Sequence, residues 1–252
     1  MTAFWIALQF FTRLPSPAVS YDDDVKVSRS ALFYPLIGAI IGALLFSLIW
    51  LLGLIPSKDL LSTAPELVAA VILIIWVAVT GALHLDGLGD SADAWLGGGN
   101  DKQLSLKIMQ DPRAGTAAVV SIVLLLLLKF AALAHLFSHH TIWPLLLAPI
   151  LGRTSALALL LTTPSARADG FSAQISRHLP RAPAIVVILI ICLLIGLAWP
   201  VEGGIVLLCT LLMTLLLRRL MLIRLAGTTG DTCGALIEII EALCLLVLCF
   251  FV

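Results

Sequence analysis

Leu67-Val-Ala-Ala-Val-Ile-Leu-Ile-Ile-Trp-Val-Ala-Val-Thr-Gly-Ala-Leu-His-Leu85 runs directly into Asp86-Gly-Leu-Gly-Asp90-Ser-Ala-Asp93-Ala-Trp95. The first part is apolar and long enough to cross a hydrocarbon core of about 30 Å as a helix. The second part carries three carboxylates at i, i+4 and i+7, which a helix stacks on one face. Bare carboxylates so placed repel one another, so a positive partner is expected among them, most simply a divalent cation with an anionic substrate. Gly87 and Gly89 are poor helix formers, and their use is to let a helix or ligand approach the backbone.

The rest of the chain fits that junction. Hydrophobic residues make up 61% of the 252 and charged residues 12%, with a mean hydropathy of +1.12. A soluble domain carries about twice that charge. The expected architecture is all-α: a single integral membrane domain over residues 1–252, a polytopic helix bundle of about seven spans. These fall near 31–55, 67–85, 114–137, 142–161, 183–200, 204–217 and 233–251. Phe4 to Phe11 is apolar but too short to span, and Arg13-Leu14-Pro15 ends it, so a short interfacial or re-entrant helix is expected there. The formal net charge is zero, which gives no reason to expect nucleic acid. The five cysteines show no CxxC spacing and read as reduced, small hydrophobes.

Loop charge fixes the orientation. Arg13, Lys26, Arg29, Lys102, Lys107, Arg113, Arg167, Arg177, Arg181, Arg218, Arg219 and Arg224 fall in one set of alternate loops, and Lys58 alone in the other. The basic side is expected to be cytoplasmic, with the N-terminus inside. The aspartate stretch and the 162–182 and 218–232 loops share that side, so any chemistry is expected at the cytoplasmic face.

A second acidic set lies at the last span, in Gly227-Thr-Thr-Gly-Asp231-Thr-Cys-Gly234-Ala-Leu-Ile-Glu238-Ile-Ile-Glu241. Asp231, Glu238 and Glu241 share one helix face. Ionisable groups this deep are costly and face a cavity or a partner. Pairing with Arg153 or Lys129, themselves inside spans, is the structural alternative; two acidic stripes outnumber those two cations. Oxygen donors without cysteine favour Mg2+ over zinc. His84 precedes the first set and reads either as a donor behind the metal ligands or as a structural histidine. Between the two sets runs Ile108-Met-Gln-Asp111-Pro-Arg113-Ala-Gly-Thr116, where a helix start beside an arginine suits a phosphate. Residues 101–109 read as a short surface helix. Acid-bound magnesium with arginines at one face suggests transfer at a diphosphate.

Three motifs, His84-Leu-Asp-Gly-Leu-x-Asp90-x-x-Asp93, Ile108-Met-x-Asp111-x-Arg113-x-Gly-Thr116 and Thr229-Gly-Asp231-Thr-x-Gly234-Ala-x-x-Glu238-x-x-Glu241, resemble the cobalamin synthase family, the adenosylcobinamide-GDP ribazoletransferases. Phe11-Thr-Arg-Leu-Pro15 and Tyr34-Pro-Leu-Ile-Gly38 match as well; Pro112 departs from the family's usual serine. The resemblance implies attack by the ribose hydroxyl of α-ribazole, or its 5′-phosphate, on adenosylcobinamide-GDP. GMP is released, and adenosylcobalamin or its 5′-phosphate forms, late in cobalamin biosynthesis. It implies Mg2+ as cofactor, with Asp86, Asp90, Asp93, Asp231 and Glu238 as metal ligands. Asp93 and Glu238 are the general-base candidates, and Arg113 acts in catalysis. Arg13, Arg113, Thr116 and Arg153 hold phosphate, with His84, Asp111 and Glu241 behind them. The resemblance implies the lipid bilayer of a bacterial inner membrane as the environment; a homo-oligomer and association with other cobalamin-assembly enzymes stay open. The rivals are a CDP-alcohol phosphotransferase, whose aspartates are more widely spread, a membrane prenyltransferase, and a cation-coupled transporter, which often shows an inverted repeat absent here.

Overall fold

The computed structural model describes residues 2–53 and 60–252, which leaves Lys58 and the end of the first expected span outside the described residues. Thirteen α-helices follow in order among the described residues: α1 (Thr2–Phe11), α2 (Asp24–Ser30), α3 (Tyr34–Gly53), α4 (Leu60–Thr63), α5 (Pro65–Thr80), α6 (Leu83–Gly97), α7 (Lys102–Ile108), α8 (Thr116–Ser138), α9 (Pro144–Thr162), α10 (Phe171–His178), α11 (Arg181–Ala198), α12 (Glu202–Leu225) and α13 (Gly230–Leu248). No strand occurs among the described residues; Ser165 and Thr228 form one isolated bridge. Six helical stretches are long and apolar enough to cross a membrane, and α5 with α6 makes a seventh if that bent pair is one span. The protein is a polytopic membrane helix bundle.

Helix α9 is the central post, buried on nearly every side against α3 and α13. Helices α11 and α12 form the outer wall. They present Leu189, Leu193, Leu197, Leu208 and Leu212 outward, as lipid-facing helices do. Helix α1 is short, and it buries Ile6, Ala7, Leu8 and Phe11. The Arg13 N–H that follows donates to the Val79 carbonyl at 2.7 Å, tying this segment to the end of α5.

The structure corrects the expected second span. The spanning helix α5 stops at Thr80, and the apolar Leu83 to Leu85 belong to α6, which turns 86° away. Gly81 (φ 64°) and Ala82 (φ 57°) both adopt left-handed backbone, which no right-handed helix passes through. The three aspartates therefore lie on a helix that leaves the spanning direction. The sixth span also differs: α12 continues through Arg218 and Arg219 to Leu225 instead of ending at 217. Long basic side chains reach past apolar surface, so a helix can carry them beyond the hydrocarbon. The 162–182 region contains α10, an amphipathic helix where a loop is expected. The surface helix expected near 101–109 is α7, capped by Asp101, which accepts from the Gln103 and Leu104 N–H groups at 2.8 and 3.1 Å.

The basic loops collect at the same end as α6. Arg224 donates to the Gly99 carbonyl, Arg167 to the Leu106 carbonyl at 2.9 Å, and Arg218 to the Thr162 carbonyl at 2.8 Å.

Candidate active site at the crossing of two helices

Helix α6 crosses the start of α13 at very short range. A Cβ at Gly87 would lie 2.7 Å from the Asp231 carbonyl oxygen, and one at Gly234 would lie 3.2 Å from the His84 Cα. Only glycine allows both approaches. The start of α13 is held by reciprocal capping: Thr229 Oγ1 accepts from the Thr232 N–H at 3.2 Å, and Thr232 Oγ1 accepts from the Thr229 N–H at 2.9 Å. Asp231, in the first turn, is thereby set against the acidic face of α6. Replacing Gly87 with valine should separate the two helices and lower turnover at least tenfold. Activity in membranes, normalised to folded protein, checks this.

Asp86 is exposed, Asp90 and Asp231 are half-buried, and Asp86 has no hydrogen-bond or ion-pair partner among the described residues. Partial burial, then the charges of Asp86, Asp231 and Asp93, push the Asp90 carboxyl up to about 6, with Arg167 opposing them. Arg167 lies 4.0 Å from Asp231. Sequence reasoning assigned Arg167 only to a basic loop; nothing local marks it, because its partners are distant in the chain. The raised carboxyl has a testable sign. Between the ordinary value of 3.8 and about 6, Asp90 holds a proton in the folded chain that the unfolded chain has lost. Stability should therefore rise as pH falls through this window, and affinity for a cation at the site should fall. Thermal unfolding and cation titration at pH 5 and pH 7 measure both.

Asp93 points elsewhere. Its carboxylate accepts from the Gly115 N–H at 2.6 Å and the Ala118 N–H at 3.0 Å, so it caps α8. The anion held at that helix start is Asp93 itself, in the place the sequence assigned to phosphate. Thr116 is exposed beside it. Arg113 is largely exposed and forms a two-pronged pair with Asp111, at 2.9 Å through Nε and 2.7 Å through Nη2. This guanidinium holds the Asp111 carboxyl down to about 2. Arg13 is exposed, with its side chain against Gly81 at the α5–α6 bend.

The structure does not bring Glu238, Glu241 or Arg153 to the aspartates. Lys129 Nζ donates to Glu238 Oε2 at 2.6 Å and to Glu241 Oε2 at 2.5 Å. Arg153 pairs with Glu241, and its Nη2 lies 3.5 Å from His84 Nδ1. Lys129 also sits over the Trp76 ring at 4.8 Å, and all four charged residues are buried. Two cations meet two anions there, so the set is neutral. The assignments of Glu238 to metal and base, of Arg153 to phosphate, and of His84 to a position behind the metal give way to this network. Charges so deep must be satisfied locally. The two cations balance Glu238 and Glu241 and do not reach Asp231 or the α6 aspartates.

Among the described residues no group of three or more His, Cys, Asp or Glu side chains is gathered closely enough to hold a metal ion. The donor set of Asp86, Asp90 and Asp231 nevertheless fits a hard divalent cation: all oxygen, mutually repelling, with one arginine nearby. Two cavities flank it. One, of about 160 Å3, is lined by aromatic and aliphatic side chains together with Asp86 and Asp231. The other, of about 270 Å3, is lined by Asp86, Asp90, Asp111 and the 109–114 loop. Asp86 borders both. A carboxylate edge between two cavities suits a reaction joining two substrates.

Comparison with known proteins gives the family. The family model for cobalamin-5-phosphate synthase matches residues 3–249. The adenosylcobinamide-GDP ribazoletransferase of Pseudomonas syringae pv. syringae (strain B728a) is 48% identical, over 98% of this chain and 99% of its own. Those of Pseudomonas fluorescens strains SBW25 and Pf-5 are each 46% identical, over 96% of both chains and 100% of both chains respectively. No solved structure matches. With three ordered motifs on the α6 and α13 crossing and the loop beside it, the chain belongs to the cobalamin-5-phosphate synthase family.

Proposed function

We propose that this chain is a Mg2+-dependent adenosylcobinamide-GDP ribazoletransferase whose reaction takes place at the α6–α13 crossing, on the cytoplasmic side of a bacterial inner membrane. The family and the names of the relatives support the overall reaction. The observation that carries the location is Asp86, bordering both cavities beside Asp90 and Asp231. The acceptor's ribose hydroxyl forms a new bond to the phosphorus on the cobinamide arm, the bond from that phosphorus to the GMP oxygen breaks, and GMP leaves.

Asp86, without a partner among the described residues and bordering both cavities, is placed to accept the hydrogen bond of the attacking hydroxyl. Asp86, Asp90 and Asp231 would hold Mg2+, which when bound neutralises the diphosphate and the departing GMP. Arg167 keeps part of the charge on Asp231 in check. Arg113, exposed and paired with Asp111 on the 109–114 loop beside the polar cavity, would exchange that carboxylate for a diphosphate, which needs a cation there. Asp93 acts by fixing α8 against α6. The collection of basic residues at this end of the bundle supports a cytoplasmic site.

Purified protein in lipid vesicles, given adenosylcobinamide-GDP, α-ribazole and Mg2+, should release GMP only when α-ribazole is present. Chelation by EDTA should stop release and added Mg2+ should restore it. GMP release without α-ribazole, or turnover that survives chelation, would refute the reading. Arg113→Ala should raise the KM for adenosylcobinamide-GDP about tenfold with little change in kcat; steady-state kinetics with varied nucleotide substrate test this. The transporter reading loses its basis, since the buried acids that motivated it are neutralised by Lys129 and Arg153.

A further inference from the structure

The smaller cavity has a chemistry of its own. Its walls include Phe10 and Phe11 from α1, Phe171 and Ile175 from α10, and Ile237 from α13. Phe10 and Phe171 lie nearly parallel, with ring centres 4.4 Å apart. Apart from the two aspartates at its edge, the lining is dominated by rings and aliphatic side chains.

His84, also in the lining, is 2% exposed. Its Nδ1 faces Arg153 Nη2 at 3.5 Å. A guanidinium can only donate, so Nδ1 accepts and the ring proton sits on Nε2. That Nε2–H has no hydrogen-bond partner among the described residues. A buried donor left unmatched costs free energy until an acceptor reaches it. The Tyr34 hydroxyl, in the same lining, is also buried without a hydrogen-bond partner among the described residues, and an aromatic chamber with so few unmatched polar groups suits a flat, largely apolar ring system that carries an acceptor nitrogen.

We infer that this cavity takes the heteroaromatic base of the acceptor nucleoside, with His84 Nε2–H donating to the base's unsubstituted ring nitrogen. The inference rests on the transferase reading above and adds where the acceptor sits. The base of α-ribazole is a dimethylated benzimidazole: planar, methylated, one nitrogen bound to ribose and the other with a free lone pair. Guanine, the other base in the reaction, carries more donors and acceptors along its edges than the two unmatched interior groups, on His84 and Tyr34, can pair. With the base inside, the ribose emerges past Asp86 and Asp231, which places its hydroxyl where the phosphorus must be attacked. The short N-terminal helix thus gains a role, because its phenylalanines build one wall.

The test compares binding of α-ribazole with that of an analogue whose free ring nitrogen is replaced by C–H, by calorimetry on the full-length protein in nanodiscs. Wild type should bind the analogue at least tenfold more weakly. His84→Phe should bind the two ligands with equal affinity. Ile175→Phe, which fills the cavity from α10 without touching His84's polar contacts, should weaken α-ribazole at least tenfold. This variant and the wild-type comparison decide the matter even if His84→Phe does not fold. Equal affinity of wild type for both ligands, or an unchanged α-ribazole Kd in Ile175→Phe, overturns the inference. If wild type still releases GMP in response to α-ribazole in that event, the transferase reading stands alone; if it releases none, both fall.

Discussion

Asp90→Asn abolishes turnover, by about a thousand-fold or more, and leaves the protein as stable as wild type or more so. The activity loss follows from removing a charged oxygen aimed at the developing phosphate and metal charge, a contribution of this order where such groups are deleted. The unchanged or raised stability follows from the crowding of Asp90 by Asp86, Asp231 and Asp93, which a neutral amide relieves. The two signs together separate a functional carboxylate from a structural one: a structural carboxylate would lose both when replaced. GMP release and thermal unfolding on the same preparation measure the pair. Activity within tenfold of wild type would remove Asp90 from the site.

Lys129→Met acts through the opposite logic. It leaves Glu238 and Glu241 buried with Arg153 as the one remaining cation of the network. Breaking a buried ion pair from one side costs about 3–5 kcal/mol, because the stranded charge has no water to return to. The variant should unfold at a clearly lower temperature or fail to accumulate in membranes. Adding Glu238→Gln restores the charge count, so the double variant should recover much of the loss. Additive losses in the double variant would show that the two residues do not interact.

The bundle was readable because lipid demands long apolar helices, and α8, α9, α11 and α13 lie close to where the hydropathy runs place them. The break at Gly81 and Ala82 was not readable. Leu83 and Leu85 are as apolar as the residues before them, and hydropathy does not register backbone handedness. Helix α10 was missed because its eight residues carry too little apolar content to stand out from a loop. At the site, the carboxylates of α6 and α13 were visible as two stripes. Their partition was not, because it depends on which cations reach them through space. Lys129 reaches Glu238 and Glu241 from α8, and Arg153 reaches Glu241 from α9, while Arg167 approaches Asp231. Asp93 looked like its neighbours in sequence; the backbone N–H groups of α8 take it away from them.

Binding of Mn2+, as a spectroscopic substitute for Mg2+, to wild type, Asp90→Asn and Asp231→Asn tests the shared site most directly. Electron paramagnetic resonance should show one saturable class of ion in wild type, weakened at least tenfold by either substitution. An ion that binds Asp231→Asn as tightly as wild type would contradict the account, because the start of α13 would then contribute nothing to the place where α6 holds its charge.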